Sequence, residues 1–226
     1  MSGFAYGGVI ISNGDIGLHG NSDAVQALSN NHGGIAQIRD EYYIFYHRST
    51  NGTEFSRQGC AEKIEILPDG SIQQVEVTSC GLNGGPLTAS GSYPASIACR
   101  ITSPRMPEKI CYPNDTYQQA ARITQRQNVS LITDIQDGTV LGYKYFHYGD
   151  PFQLLLEISG TWNGSIMIAN DPEGRISFGE MEFHIQDPCW TGIRVPCRPD
   201  PGDHGLYMIF RGTGTLEMKQ FTFLVL

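Results

Sequence analysis

The residues that decide the fold run Asn30-Asn31-His32-Gly33-Gly34, then Tyr42-Tyr43-Ile44-Phe45-Tyr46-His47-Arg48, then Ser56-Arg57-Gln58. Tyr42 to His47 is aromatic and β-branched, the composition of a half-buried strand. Gly33 and Gly34, beside His32, let the backbone turn and come close to another group. Ser49-Thr50-Asn51-Gly52-Thr53 is turn chemistry with Asn51-Gly52 at its tip. That turn returns the chain so that Arg57 lies near the level of His32. An imidazole and a guanidinium at one end of a sheet can hold a metal and an anionic or polyhydroxyl ligand. The same pattern also describes a capped loop with a surface arginine.

Alternation along the run sets Tyr43, Phe45 and His47 against Tyr42, Ile44 and Tyr46, and both faces are apolar, as in a strand packed between neighbours. His47 is therefore expected as a hydrogen-bonded core or rim residue rather than a ligand. Upstream, residues 6–12 read as a short buried strand closed by Asn13-Gly14-Asp15. Downstream, residues 61–67 and 71–78 flank Pro68-Asp69-Gly70, a hairpin signal. Glu62 and Glu65 fall on opposite faces of a strand, a poor acid/base couple, and both are expected to be solvated or ion-paired. Residues 81–91 form a loop rich in Gly, Pro and Ser, and residues 93–101 a closing strand or a bridge to the next unit. Two prolines within residues 102–109 mark a domain boundary, giving units of 1–105 and 110–226.

Beyond Cys111 short strand patterns recur at 129–135, 140–148, 154–158, 165–169, 175–178, 181–185, 205–210 and 220–225. Such spacing, with turn signals between, predicts a β-sandwich. Trp162, next to Asn163-Gly164, is expected at a hairpin end.

The composition fits an all-β chain: 27 glycines and 12 prolines interrupt 226 residues that show little helical periodicity. A net charge of −8 argues against nucleic acid or an anionic membrane as partner and is compatible with neutral carbohydrate. No apolar stretch is long enough to cross a bilayer. Met1 to Tyr6 has no basic region or hydrophobic core of a signal peptide, so the chain as it stands is expected in the cytoplasm. The six cysteines form no Cys-x-x-Cys pair. Cys189 and Cys197 flank a short loop and could be bridged in an oxidising compartment, but reduced buried thiols are expected.

Residues 30–48 (NNHGGIAQIRDEYYIFYHR), Ser56-Arg57-Gln58 and residues 61–87 (AEKIEILPDGSIQQVEVTSCGLNGGPL) together resemble the last blade of a glycoside hydrolase family 43 five-bladed β-propeller, over about residues 7 to 101. The resemblance implies that His32 faces the central channel and takes part in holding a metal ion, usually calcium, in the complete propeller. It implies that Arg57 reaches toward the sugar. Residues 137–146 (DGTVLGYKYF), 189–197 (CWTGIRVPC) and 202–214 (GDHGLYMIFRGTG) resemble a family 6 carbohydrate-binding module, a jelly-roll-like sandwich. That likeness makes Trp190 one of two sugar-stacking aromatics. Asn128, Val129 and Leu131 stand where the second would be. Gln118-Gln119 and Met218-Lys219-Gln220 stand where such modules carry acids for a structural calcium.

Family 43 enzymes are inverting glycosidases, which need an acid and a base on opposite sides of the bond. The resemblance implies that the catalytic carboxylates come from blades preceding this stretch; Asp15, Asp40 and Glu41 match none of them. The chain therefore reads as the C-terminal portion of an arabinofuranosidase- or xylosidase-type enzyme, with no catalytic carboxylate and an N-terminal propeller segment as its missing partner. A blade alone cannot close a ring, so residues 1 to about 100 are expected to depend on the sandwich or a partner chain. The alternatives are a stand-alone carbohydrate-binding module and a purely structural sandwich.

Overall fold

The computed structural model describes residue 3 and residues 5–107 and 118–225; Cys111 and part of the expected boundary lie outside them. The chain is all-β. Strands β1 (Gly34–Ile38), β2 (Glu41–Thr50) and β3 (Thr53–Ile64) form an antiparallel three-stranded sheet in sequence order. The β2–β3 turn is the expected Asn51-Gly52, with φ of 57° and 66°, the left-handed pair that matches strand twist. Neither edge of this sheet carries another strand among the described residues, so the blade is open. Leu67 and Ser71 close the Pro68-Asp69-Gly70 hairpin, but its arms reduce to one bridge, Ile66 to Ile72.

The remaining strands build one ten-stranded system folded into a sandwich: β4 (Leu87–Thr88), β5 (Gly91–Pro94), β6 (Arg100–Thr102), β7 (Arg122–Arg126), β8 (Val129–Ile135), β9 (Val140–Tyr148), β10 (Phe152–Ala169), β11 (Ser177–Ile185), β12 (Thr191–Cys197) and β13 (Gly202–Val225). Strands β4, β5 and β6 precede the linker, yet β4 and β6 pair with β9 and β5 pairs with β13. Residues 87–102 thus belong to the sandwich by hydrogen bonding, although the sequence division puts them in the first unit.

Two strands differ most from the sequence reading. Residues 154–169, expected as two strands about a hairpin, are part of the single strand β10, and 205–225 lie within the single strand β13. The whole of β10 pairs with residues 207–225 of β13, while the start of β13 pairs with β9. Glycines that read as breaks mark places where the backbones pass too close for a side chain. A Cβ at Gly160 would lie 2.2 Å from the Thr215 carbonyl oxygen, and one at Gly164 would lie 2.1 Å from that of Arg211. Trp162 is correspondingly no hairpin end. It is 1% exposed in the core, stacked on Phe183 and edge-on to Phe210. Alternation on β10 sends Phe152, Leu154, Leu156, Ile158, Trp162, Ile166 and Ile168 inward against Tyr143, Phe146, Phe210 and Phe221.

The blade is wired to the sandwich. The Asn51 side-chain oxygen accepts from Thr124 Oγ1 (2.7 Å) and the Gln125 amide (3.1 Å), and the Asn51 amide donates to the Ile123 carbonyl. Arg48, buried on β2, donates to the carbonyls of Ser96 (2.6 Å) and Ala98 and to Gln58 Oε1. Lys144 of β9 pairs with Glu76 at 2.6 Å and Asp15 at 3.3 Å. The five described cysteines are free thiols, Cys189 exposed and Cys197 buried.

Candidate functional site

His32, His47 and Arg57 come together at one end of the blade. Gly33 makes this possible, because a Cβ there would lie 1.8 Å from the Phe45 carbonyl oxygen; only glycine lets the segment cross β2 so closely. Asn31 Oδ1 lies 3.5 Å from the His47 amide it accepts from. The imidazole of His32 then meets that of His47 edge-on, ring centroids 4.4 Å apart, with Nδ1 of His32 3.1 Å from Nε2 of His47. On β3, Gly59 pairs opposite His47 and Arg57 opposite Ser49, which brings the guanidinium to the same end. His32 and Arg57 are exposed; His47 is buried. Burial pushes the His47 pKa down, and the facing His32 and Arg57 push it the same way, so its ring is neutral at pH 7. His47 is the hydrogen-bonded rim residue expected from its place in the run.

The donor set at this corner does not make a calcium site by itself. Calcium takes six to eight oxygens, whereas the corner offers one exposed imidazole, whose Nδ1 is already engaged. Among the described residues no three of His, Cys, Asp or Glu are grouped to hold a metal ion.

The second candidate, Trp190, sits just before β12 and is 43% exposed. Its loop is tied down by Ser159 Oγ, which donates to the Pro188 carbonyl. The ammonium of Lys219 lies 5.0 Å from the indole centroid and pairs with Glu157 at 2.5 Å; Gln220 also donates to Glu157. The ammonium lies over one face of the indole and ties it, through the ion pair, to the Glu157 carboxylate and the Gln220 amide, so a sugar could stack only on indole surface that Lys219 leaves open. Lys219 and Gln220 come from β13, at the stretch where the resemblance implies acids for a structural calcium, and Glu157 comes from β10. Val129, at the position of the missing second aromatic, is exposed.

The acids with raised pKa values lie elsewhere, beneath the blade. Glu62, expected to be solvated or ion-paired, is buried. Its oxygens accept from Tyr46 Oη (3.0 Å), the Thr78 amide (2.8 Å) and Thr78 Oγ1 (2.6 Å), and burial raises its pKa. The reason is register: Glu62 pairs opposite Ile44 on the face that packs inward. Asp15 accepts from the Val77 amide and from Lys144; burial raises its pKa too, against the pull of Lys144. Glu76 accepts from Lys144 and from Tyr145 Oη. Each acid is held by protein donors, as structural groups are. A cavity of about 480 Å³ opens beside Tyr46, Arg48, Cys60, Glu62, Thr78 and Leu82, and His32 and Arg57 do not line it.

No protein-family profile matches the chain. It is 38% identical over 232 residues to a xylosidase/arabinosidase of Thermoclostridium stercorarium, a match that takes in 97% of this chain and 48% of that protein. The chain thus spans about half the length of that relative. Its fold is similar to part of a glycoside hydrolase family 43 arabinoxylan arabinofuranohydrolase from Bacillus subtilis, solved with cellotetraose, at TM-score 0.52 and 20% identity over 99% of this chain and 45% of that one. A family 6 carbohydrate-binding module of Clostridium stercorarium, solved with cellobiose, overlaps 62% of the chain and 98% of the module at TM-score 0.49 and 14% identity.

Proposed function

We propose that this chain is the C-terminal part of a glycoside hydrolase family 43 protein and binds arabinose- or xylose-containing polysaccharide for an enzyme that hydrolyses its glycosidic bonds. The observation that carries this reading is the 38% identity, along almost the whole chain, to a xylosidase/arabinosidase. In this reading His32 and Arg57 form the sugar-facing corner that the last blade contributes to the active site. Arg57 supplies a fixed charge and a fork of donors suited to hydroxyl oxygens. The sandwich holds the polymer at Trp190, with a pyranose or furanose face on the indole surface that Lys219 leaves open. The acid and base of an inverting hydrolysis must face each other across a bond. Asp15, Glu62 and Glu76 are committed to internal partners, so the reading places that pair outside this chain.

Titration of the full chain with xylo- and arabino-oligosaccharides tests the binding half. Quenching of tryptophan fluorescence is expected from Trp190, since Trp162 is shut in the core, and the Trp190→Ala variant should lose it. An unchanged fluorescence signal, or equal affinity of the variant, would refute the Trp190 assignment.

A further inference from the structure

The two imidazoles at the blade corner carry an assignment of their own. Nδ1 of His32 and Nε2 of His47 stand 3.1 Å apart, and one hydrogen fills that gap. Either His47 donates it from Nε2 or His32 donates it from Nδ1. The far nitrogen of His47 decides between them. His47 is 8% exposed, and its Nδ1 is buried with no hydrogen-bond partner among the described residues. A neutral imidazole carries one N–H. If His32 were the donor, the hydrogen of His47 would have to sit on that Nδ1, an N–H shut away without an acceptor. If His47 is the donor, its Nδ1 is a bare lone pair. Buried donors left without an acceptor are rarer in folded proteins than acceptors left under-satisfied.

We propose that His47 is a positioning residue: it donates its Nε2 hydrogen to Nδ1 of His32, so that His32 turns an Nε2–H outward beside the Arg57 guanidinium. His32 then meets its ligand as a hydrogen-bond donor. Two donors at one corner suit an oxygen acceptor, here a sugar hydroxyl or ring oxygen. A direct bond from His32 Nε2 to a metal ion would need the lone pair that this proton occupies. Only the choice of a sugar oxygen rests on the proposed function; the proton's place rests on the geometry of the pair.

The test is a two-bond proton–nitrogen correlation spectrum of the full chain with ring-labelled histidine, at about pH 8 where an exposed imidazole is neutral, with His32 assigned through His32→Gln. The expected pattern is a protonated Nε2 and a bare Nδ1 on His32, unmoved by calcium chloride. In His47→Phe the His32 Nδ1 signal should shift as its hydrogen bond is lost, and His47→Gln, whose amide can donate to Nδ1, should restore it. Packing alone would not produce that rescue. Protonation of His32 at Nδ1, loss of its Nε2 proton on adding calcium, or an identical His32 pattern in wild type and His47→Phe would each overturn the proposal. A chain that shows the expected pattern but binds no oligosaccharide would refute the functional reading and support the assignment.

Discussion

Replacing Lys144 with methionine removes the cation that pairs with two carboxylates where the sandwich meets the N-terminal segment. Lys144 and Asp15 have side chains only 7% and 6% exposed, and Glu76 is 32% exposed. Deleting one partner of a buried ion pair costs about 3–5 kcal/mol, because the other charge stays buried and uncompensated. The partial exposure of Glu76 sets the expectation at the lower end, about 3 kcal/mol. With a urea slope of roughly 2 kcal/mol/M, the midpoint should fall by about 1.5 M. The sign with pH is also fixed. The folded-state pKa of Asp15 is raised, mainly by burial and against the pull of Lys144. Its folded form therefore holds the proton more tightly than the unfolded chain, and its share of stability falls as pH rises. Without Lys144 the pKa rises further. The deficit of Lys144→Met should be full at about pH 7.5 and shrink toward pH 5 as Asp15 becomes neutral. Urea unfolding followed by far-ultraviolet circular dichroism at both values measures this. A loss under about 1 kcal/mol at pH 7.5, or a deficit that grows on acidification, would refute the reasoning.

Three further outcomes are expected. Arg48→Met leaves the Ser96 and Ala98 carbonyls short of their charged donor and should cost about 3 kcal/mol in the same assay; a cost under about 1 kcal/mol would show that the arginine does not hold the turn into the sandwich. Glu62→Leu strands the Thr78 amide and Tyr46 hydroxyl, at about 2–3 kcal/mol. Burial raises the Glu62 pKa, so wild type gains on acidification and the cost should be greater at pH 5 than at pH 8; the opposite trend would contradict that shift. Gly160→Ala combines a φ of 126° with a Cβ driven into the Thr215 carbonyl and should cost at least about 3 kcal/mol or abolish folding, against little change if β10 and β13 could separate there.

Much of the blade was legible from local chemistry. The Asn51-Gly52 turn, the aromatic run of β2 and the close approach at Gly33 each follow from one or two residues whose conformational preference decides the matter. His32, His47 and Arg57 meet because strand alternation and the turn fix their register. The buried network was not legible. Whether Glu62 faces solvent or interior depends on what covers its face of the sheet, and that cover, Thr78 and Val77, comes from a segment with little regular pairing. The long strands failed for a related reason: Gly160, Gly164, Gly212 and Gly214 look like turn residues to a local reading, while their role, admitting the backbone of a partner strand fifty residues away in sequence, appears only once β10 and β13 are paired. For Trp190 the aromatic was visible, but its surroundings were not. Lys219 reaches over it from β13 and is held by Glu157 of β10, a neighbourhood that no spacing in the sequence reveals.

Under the proposed function this chain binds the sugar while the bond-breaking acids lie outside it. Release of nitrophenol from p-nitrophenyl α-L-arabinofuranoside and β-D-xyloside by the purified 226-residue chain tests that claim most directly. No release above the uncatalysed rate is expected. Turnover that follows the folded chain through purification would contradict it.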